Sequence, residues 1–246
     1  MAIPDLPSTA EESGQSRGGL RYRIHGTVQQ TVIVDLHPGQ TIFSDAGAMS
    51  WMSQTVEMNT HGGGGIGGML KRAFSGATLF VIDFTSPGGA GQVAFASDFP
   101  GRILAFDLEA GQSVIMHKHA FICAEKSVKL DITFTRKLGA GLLGGEGFIL
   151  QSLTGPGMVF AELDGDAIEY SLKSGETMKV EPGHIAMFEP SITFDITMVK
   201  GFRNMLFGGE GIFLGTLQGP GRIWLHSLTV SKMAHRIGEY LPARKE

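Results

Sequence analysis

Three residues in the middle of the chain have the types and almost the spacing of a metal site. His117 and His119 are separated by one residue, and Glu125 follows after five more. Two imidazoles on one face of a strand and a carboxylate further along can converge on a divalent metal ion. However, the spacing to Glu125 is one residue longer than such a motif needs, and no second motif supplies another histidine. Metal binding is therefore a secondary hypothesis, and no cofactor is assigned.

A glycine-rich segment, HGGGGIGG at residues 61–68, could bring backbone amides close to a phosphate. Such a cradle requires bare backbone and the N-terminus of a following helix. Only the short stretch from Ile66 to Phe74 is available for that helix, and the chain has no Gly-Lys step for a phosphate-binding lysine. The segment is predicted to be a loop between strands, and its candidate ligand contacts are Gly63, Gly64 and Gly65.

Two glutamates, Glu146 and Glu210, occupy matching places in a repeated GGEG motif. Converging carboxylates would repel each other and raise one pKa, which is the arrangement that acid/base catalysis uses. Alternatively, each carboxylate accepts hydrogen bonds from its own glycine-rich turn, and Ala77 at the corresponding place of an earlier copy favours this interpretation. Both glutamates are candidate binding residues, and no catalytic residue is predicted.

The GGEG motif belongs to a longer internal repeat. The segment LLGGEGFILQSLTGPGMVFAEL at 142–163 returns as LFGGEGIFLGTLQGPGRIWLHSL at 206–228, and a more divergent copy lies at 74–97. The sequences before these segments also recur, and each contains one turn glycine: Gly39, Gly111 and Gly175. These glycines are 72 and 64 residues apart. The chain is therefore predicted to contain three related units.

The repeat alignment changes the interpretation of the histidine pair. It places His-Lys-His at 117–119 over Asp-Ala-Gly at 45–47 and Glu-Pro-Gly at 181–183. The last two triplets have the composition of turns. The His-Lys-His triplet is therefore predicted to be an exposed turn between strands.

Alternating apolar and polar residues predict strands in every unit. In the run VKLDITF every second side chain is apolar, and ITFDITM repeats this pattern in the next unit. Helical periodicity is strongest near the C-terminus, where Met233, Ile237 and Leu241 share a face after a predicted cap at Ser231. Trp51 and Trp224 lie in apolar strands and are predicted to be core or interface residues.

The predicted fold class is all-β, with three tandem β-sandwich-like units around a pseudo-threefold axis. A solenoid is the competing arrangement. The predicted boundaries are a flexible tail at 1–19, units at 20–99, 100–163 and 164–230, and a short helix and tail at 231–246.

Composition limits the class of protein. Of 246 residues 42% are apolar, which is enough for a core, and the net charge of −4 argues against binding nucleic acid by charge alone. We therefore expect no DNA partner and disfavour RNA. The single cysteine, Cys123, favours a reducing, cytoplasmic location. No apolar stretch approaches the roughly 20 residues of a membrane helix, so no membrane insertion is expected.

The succession of GGMLKRAFSG, LFVIDF and PGRILAFDL, followed by the two GGEG hairpins, resembles a known family. This is the family of bacterial and archaeal proteins related to "altered inheritance of mitochondria 24", formerly a domain of unknown function. The resemblance covers about Leu20 to Val230. It implies a fold similar to the tryptophan-RNA-binding attenuation protein, a relative of the double-stranded β-helix, repeated three times. It carries over no catalytic residue.

Three functions remain open at this point. The leading hypothesis is a non-enzymatic binding or scaffold protein that self-associates as a trimer or larger ring, because open strand edges often pair in oligomers. The alternative is a cupin-like, metal-dependent enzyme that uses His117 and His119 with Glu125. RNA binding rests on fold analogy alone. The sequence does not identify a ligand or a protein partner.

Overall fold

The chain folds as antiparallel β-sheets, as the alternating sequence pattern predicts. The computed structural model describes residues 11–61, 81–136, 147–198 and 213–240. These residues form twenty strands and one α-helix, so the all-β prediction is confirmed. No helix within these four ranges is long and apolar enough to cross a membrane.

The first eight strands are β1 (Glu11–Gln15), β2 (Arg21–His25), β3 (Thr31–Leu36), β4 (Thr41–Asp45), β5 (Trp51–Met52), β6 (Glu57–His61), β7 (Val81–Thr85) and β8 (Gly91–Ala96). The next six are β9 (Gly101–Leu108), β10 (Ser113–His117), β11 (Phe121–Glu125), β12 (Lys129–Arg136), β13 (Phe148–Thr154) and β14 (Gly157–Asp164). The last six are β15 (Ala167–Leu172), β16 (Thr177–Val180), β17 (Ile185–Phe188), β18 (Thr193–Met198), β19 (Phe213–Gln218) and β20 (Gly221–His226), and they precede helix α1 (Val230–Gly238).

The strands form four sheets. Sheet 1 has the order β1-β2-β3-β8-β5, and sheet 2 has the order β6-β7-β4-β11-β14-β9. Sheet 3 has the order β12-β13-β10-β17-β20-β15, and sheet 4 has the order β16-β19-β18. Three apolar clusters draw on sheets 1 and 2, sheets 2 and 3, and sheets 3 and 4 respectively. The buried apolar side chains therefore hold neighbouring sheets together.

The same ladders recur along the chain. The pair β3·β8 is followed by β9·β14 and β15·β20, and the pair β4·β7 is followed by β10·β13 and β16·β19. The tight turns between the leading strands of these pairs contain Gly39, Gly111 and Gly175, with φ values of 82°, 82° and 78°. Because only glycine adopts this left-handed conformation without strain, these turn positions can be predicted from the sequence.

Two terminal segments differ from the sequence prediction. Helix α1 is capped by Thr229, whose hydroxyl accepts a hydrogen bond from the Lys232 amide, and Ser231 lies inside the helix. Near the N-terminus, residues 11–15 of the expected flexible tail form β1 and pair with β2. Ser16 helps to hold this segment in place, because its hydroxyl donates a hydrogen bond to the carboxylate of Glu125, 109 residues away. A contact of that range leaves no local sequence signal.

Candidate functional site

Only some of the sequence-predicted site residues fall in the part of the chain that the structure describes. Those outside it are Gly63, Gly64, Gly65, Glu146 and Glu210. The proposed metal ligands His117, His119 and Glu125 lie inside it.

The two histidines are close together, but only one is exposed. His119 lies in a single 3-10 turn at 118–120, where the sequence predicts a turn. His117 ends β10 and is buried, contrary to the prediction of an exposed triplet, because its ring stacks on Phe148 with ring centroids 4.9 Å apart. The two imidazole centroids are 5.2 Å apart.

Glu125 does not join these histidines in a metal site. Its buried carboxylate accepts hydrogen bonds from the Ser16 hydroxyl at 2.8 Å and from the Met158 amide at 2.7 Å. Among the described residues, no three His, Cys, Asp or Glu side chains are arranged to hold a metal ion. The carboxylate instead connects the N-terminal segment to β14.

Burial of His117 makes stability depend on pH. Burial, and then the positive charges of His119, His226 and Lys118, lower the pKa of His117 to about 3. Below pH about 6.5 the unfolded chain binds a proton here that the folded chain does not, so stability falls as the pH falls toward 3. Between pH about 7 and 5, we expect His117→Leu to retain roughly 1–2 kcal/mol of unfolding free energy that the wild type loses.

Urea denaturation at the two pH values measures this difference, and His119→Leu, at the neighbouring exposed histidine, is the control. If the free energy of unfolding depends equally on pH in the wild type and in His117→Leu, the lowered pKa of His117 is wrong.

A candidate ligand site is a cleft of about 720 Å³ between β9 and strands β17 and β20. Its apolar wall comprises Ile103, Leu104, Ala105, Phe106, Leu108, Val114, Met187, Pro190 and Trp224. Its polar rim includes Glu12, Gln112, Ser113, Glu189, Ser191 and Arg222. A concave apolar wall with a few polar groups is typical of ligand sites in proteins.

Strand β9 forms one wall because it is the last strand of sheet 2. It pairs along its whole length with β14, and Leu104 and Phe106 pack on the apolar cluster that sheets 2 and 3 share. The opposite wall comes from sheet 3, through Met187 on β17 and Trp224 on β20. The cleft therefore lies where the edge of sheet 2 meets the face of sheet 3.

An ion pair organises the rim. The guanidinium of Arg222 donates to the Glu189 carboxylate at 2.8 Å and lies over the Trp224 ring, 5.0 Å from its centroid. Burial alone would raise the pKa of Glu189, but hydrogen bonds from the Arg222 amide and guanidinium outweigh it and lower the pKa. The Trp224 indole N–H donates to Glu169 at 2.9 Å. These contacts fix the orientation of the Trp224 ring at the cleft wall.

The sequence motifs did not point to this rim, although one signal was present. Glu189 lies 64 residues after Glu125, which is the spacing of the second and third turn glycines. The two carboxylates have matching partners, because Glu125 accepts from the Met158 amide and Glu189 accepts from the Arg222 amide. The repeat spacing applied to Glu125 would have identified Glu189.

A separate acidic group lies near the end of β14. Burial, and then the charges of Asp164 and Asp98, raise the pKa of Glu162 to about 8, and burial followed by the Asp98 charge raises the pKa of Asp164 to about 6. The folded chain therefore holds protons that the unfolded chain releases. The stability from these protons is present at low pH and is lost as the pH rises through about 8.

We expect Glu162→Gln to remove much of this loss. Between pH about 5 and 8, the melting temperature of the wild type should fall more than that of the variant, by a few degrees. Thermal denaturation followed by circular dichroism measures the difference, with the exposed Asp166→Asn as the control. A variant that keeps the wild-type slope would show that Glu162 is ionised in the folded protein.

Known proteins resemble this chain over almost its whole length. A family model described as Mitochondrial biogenesis AIM24 matches residues 22–228. An uncharacterized protein from Streptococcus pyogenes serotype M6 is 28% identical over 243 residues, which span 95% of this chain and 96% of that protein. An X-ray crystal structure of a Streptococcus pyogenes protein from a structural genomics consortium has a TM-score of 0.72 and 25% identity, covering 90% of this chain and 100% of its own. The similarity thus extends to all four sheets.

Proposed function

This chain belongs to the Mitochondrial biogenesis AIM24 family, and we propose that it is a non-enzymatic binding protein whose ligand site is the cleft beside β9. The observation that carries the proposal is the cleft itself, with its apolar wall and its oriented Arg222, Glu189 and Trp224 rim. An apolar ligand would gain by leaving water at that wall. The proposed location is the cytoplasm, which the single cysteine favours.

The proposal includes three tandem units around a pseudo-threefold axis, related to the double-stranded β-helix and bounded as the sequence predicts at 20–99, 100–163 and 164–230. The recurring ladders and turn glycines support it. The ladders β4·β11 and β10·β17 would then join successive units in equivalent ways. In this scheme the cleft lies between the second and third units.

The three units differ at the position of the cleft wall. Val32 and Val34 on β3 are completely buried, whereas Leu104 and Phe106 at the matching positions of β9 are half-buried. The next matching pair on β15 is Ile168 and Tyr170, each 42% exposed. In the second unit, therefore, the matching pair is partly sheltered and borders the cleft.

Energy transfer from Trp224 tests the proposed site. Trp51→Phe leaves Trp224 as the single tryptophan and changes a residue that is 53% exposed. Prodan, a neutral apolar dye that accepts tryptophan emission, serves as the probe. We expect saturable energy transfer from Trp224, weakened about tenfold or more by Leu104→Arg, because an arginine would place charge against the apolar wall.

The matched control is Ile168→Arg, which introduces the same charge at the corresponding exposed position of β15. We expect it to change prodan affinity less than about twofold. Thermal denaturation establishes that both variants fold. Equal loss in the two variants, or no saturable transfer in the parent, would refute the proposed site.

Self-association is part of the same proposal, and the edge strand β15 supports it. Among the described strands, β15 pairs only with β20, and it exposes Ile168 and Tyr170 on one face. Antiparallel pairing with β15 of a second copy would cover both side chains about a twofold axis. Such pairing builds a dimer, which differs from the trimer or ring expected from the sequence.

Light scattering coupled to size exclusion measures this association. We expect the wild type to be larger than a monomer and Tyr170→Lys to be monomeric, because lysine at a strand edge opposes pairing. The same mass for both proteins would refute association through β15.

A further inference from the structure

We propose that the cleft binds a short extended peptide, which adds to the edge of β9 at Ala105 as an antiparallel strand and carries alternating apolar and basic side chains. This inference rests on the proposed function, because it names the class of ligand for the same site. It is carried by the backbone of β9, by the way the chain covers the matching edge elsewhere, and by the charges at the rim.

The backbone of β9 offers hydrogen-bonding groups to the cleft. The Ile103 amide donates to the Gln30 side chain at 2.6 Å, so it points away from β14. Successive amides in a strand alternate in direction, and the Ala105 amide and carbonyl therefore point the same way as those of Ile103. Residues 103–106 line the cleft consecutively, as expected when a strand presents its edge. A peptide strand could pair with the Ala105 groups.

The chain itself shows what covers such an edge. Strand β3, which matches β9 at a spacing of 72 residues, is covered on this side by β2 in an antiparallel ladder. Tyr22 lies opposite Val34 and Ile24 lies opposite Val32, so the apolar side chains of β2 meet the apolar positions of β3. Among the described residues, β9 is the terminal strand of sheet 2, and residues 28–30 cover only its start, where the Gly101 amide donates to the Val28 carbonyl at 2.7 Å. The equivalent occupant beside β9 is therefore an extended segment like β2.

Charge favours basic residues in that segment. On β2, Arg23 pairs with Asp35 of β3 at 3.1 Å. The position that matches Asp35 on β9 is Asp107, also an acid, whose carboxylate accepts one hydrogen bond from the Arg17 amide at 2.7 Å. The cleft rim adds Glu12 and Glu189 against the single guanidinium of Arg222, which Glu189 already binds. An approaching basic side chain meets a predominantly acidic rim.

The probe for this inference is a fluorescein-labelled, end-capped peptide with the sequence LRYRIHG, copied from residues 20–26. Fluorescence anisotropy with the full-length protein measures its binding. We expect saturable binding that Ala105→Pro weakens roughly 3- to 10-fold, because proline removes one outward donor and keeps the ladder to β14. The matched control is Ala167→Pro, at the first residue of the edge strand β15, which should change affinity less than about twofold.

A second peptide tests strand pairing without changing the protein. It has the same side chains with N-methyl groups on alternate backbone nitrogens, so it cannot form the ladder. Its affinity should be lower than that of the parent peptide by at least the factor expected for Ala105→Pro. Replacing both peptide arginines with glutamate should also weaken binding.

Four outcomes overturn the inference. One is binding that neither Ala105→Pro nor N-methylation weakens, and another is binding that glutamate peptides share equally. The third is a protein that does not bind the peptide but still binds prodan with an affinity that Leu104→Arg weakens. This result refutes the peptide as the ligand and leaves the proposed function standing. Loss of both peptide and prodan binding refutes the inference and the proposed function together.

Discussion

Replacing Glu125 with alanine is expected to lower the free energy of unfolding by about 2–4 kcal/mol. The substitution removes two hydrogen bonds to a carboxylate and leaves the Met158 amide buried without its acceptor. It also releases the Ser16 hydroxyl, which the N-terminal segment uses to attach to β11. Urea denaturation at neutral pH measures the change. Hydrogen exchange should increase in residues 11–20.

Glu189→Ala is the matched control, because Glu189 accepts the equivalent amide hydrogen bond from Arg222. Its carboxylate is more exposed, so water can replace the lost partner, and we expect a loss below about 1.5 kcal/mol. Equal losses of unfolding free energy in Glu125→Ala and Glu189→Ala would show that burial of the carboxylate does not determine the size of the loss.

The second large effect is expected at Phe160. Its side chain is completely buried in the cluster of sheets 1 and 2, and its ring meets Tyr22 edge-on with centroids 5.0 Å apart. Phe160→Ala should lower the free energy of unfolding by about 3–5 kcal/mol, because removal of the buried ring leaves a cavity that the sheets cannot fully close. Urea denaturation measures this loss.

Tyr22→Phe is the control, since it keeps the ring that packs on Phe160 and removes only the hydroxyl. We expect it to cost less than about 1 kcal/mol. A small effect of Phe160→Ala would mean that the N-terminal strands pack loosely on sheet 2.

Local features of the fold could be predicted from the sequence. Gly39, Gly111 and Gly175 mark turns because their left-handed backbone requires glycine, and this requirement acts within a few residues. The alternating run VKLDITF forms β12 because period two places its apolar side chains on one face. All-β structure follows from such local signals.

The site depends on contacts that are distant in the chain, and apart from the repeat spacing that relates Glu189 to Glu125, the sequence has no signal for them. Trp51 and Trp224 have similar apolar neighbours in sequence, yet Trp51 is 53% exposed and Trp224 forms a cleft wall beside Arg222. The difference arises from which sheet packs against each strand. Likewise, Glu125 has almost the spacing of a metal ligand, but its oxygens accept hydrogen bonds from Ser16 and Met158.

The two indole N–H signals in a ¹H–¹⁵N NMR spectrum give the most direct test of the ligand site. The chain has two tryptophans, and Trp51→Phe assigns their signals. During a titration with prodan, we predict that the Trp224 signal moves progressively to saturation while the Trp51 signal stays in place. A Trp224 signal that is unchanged while prodan binds would contradict the assignment of the cleft beside β9 as the binding site.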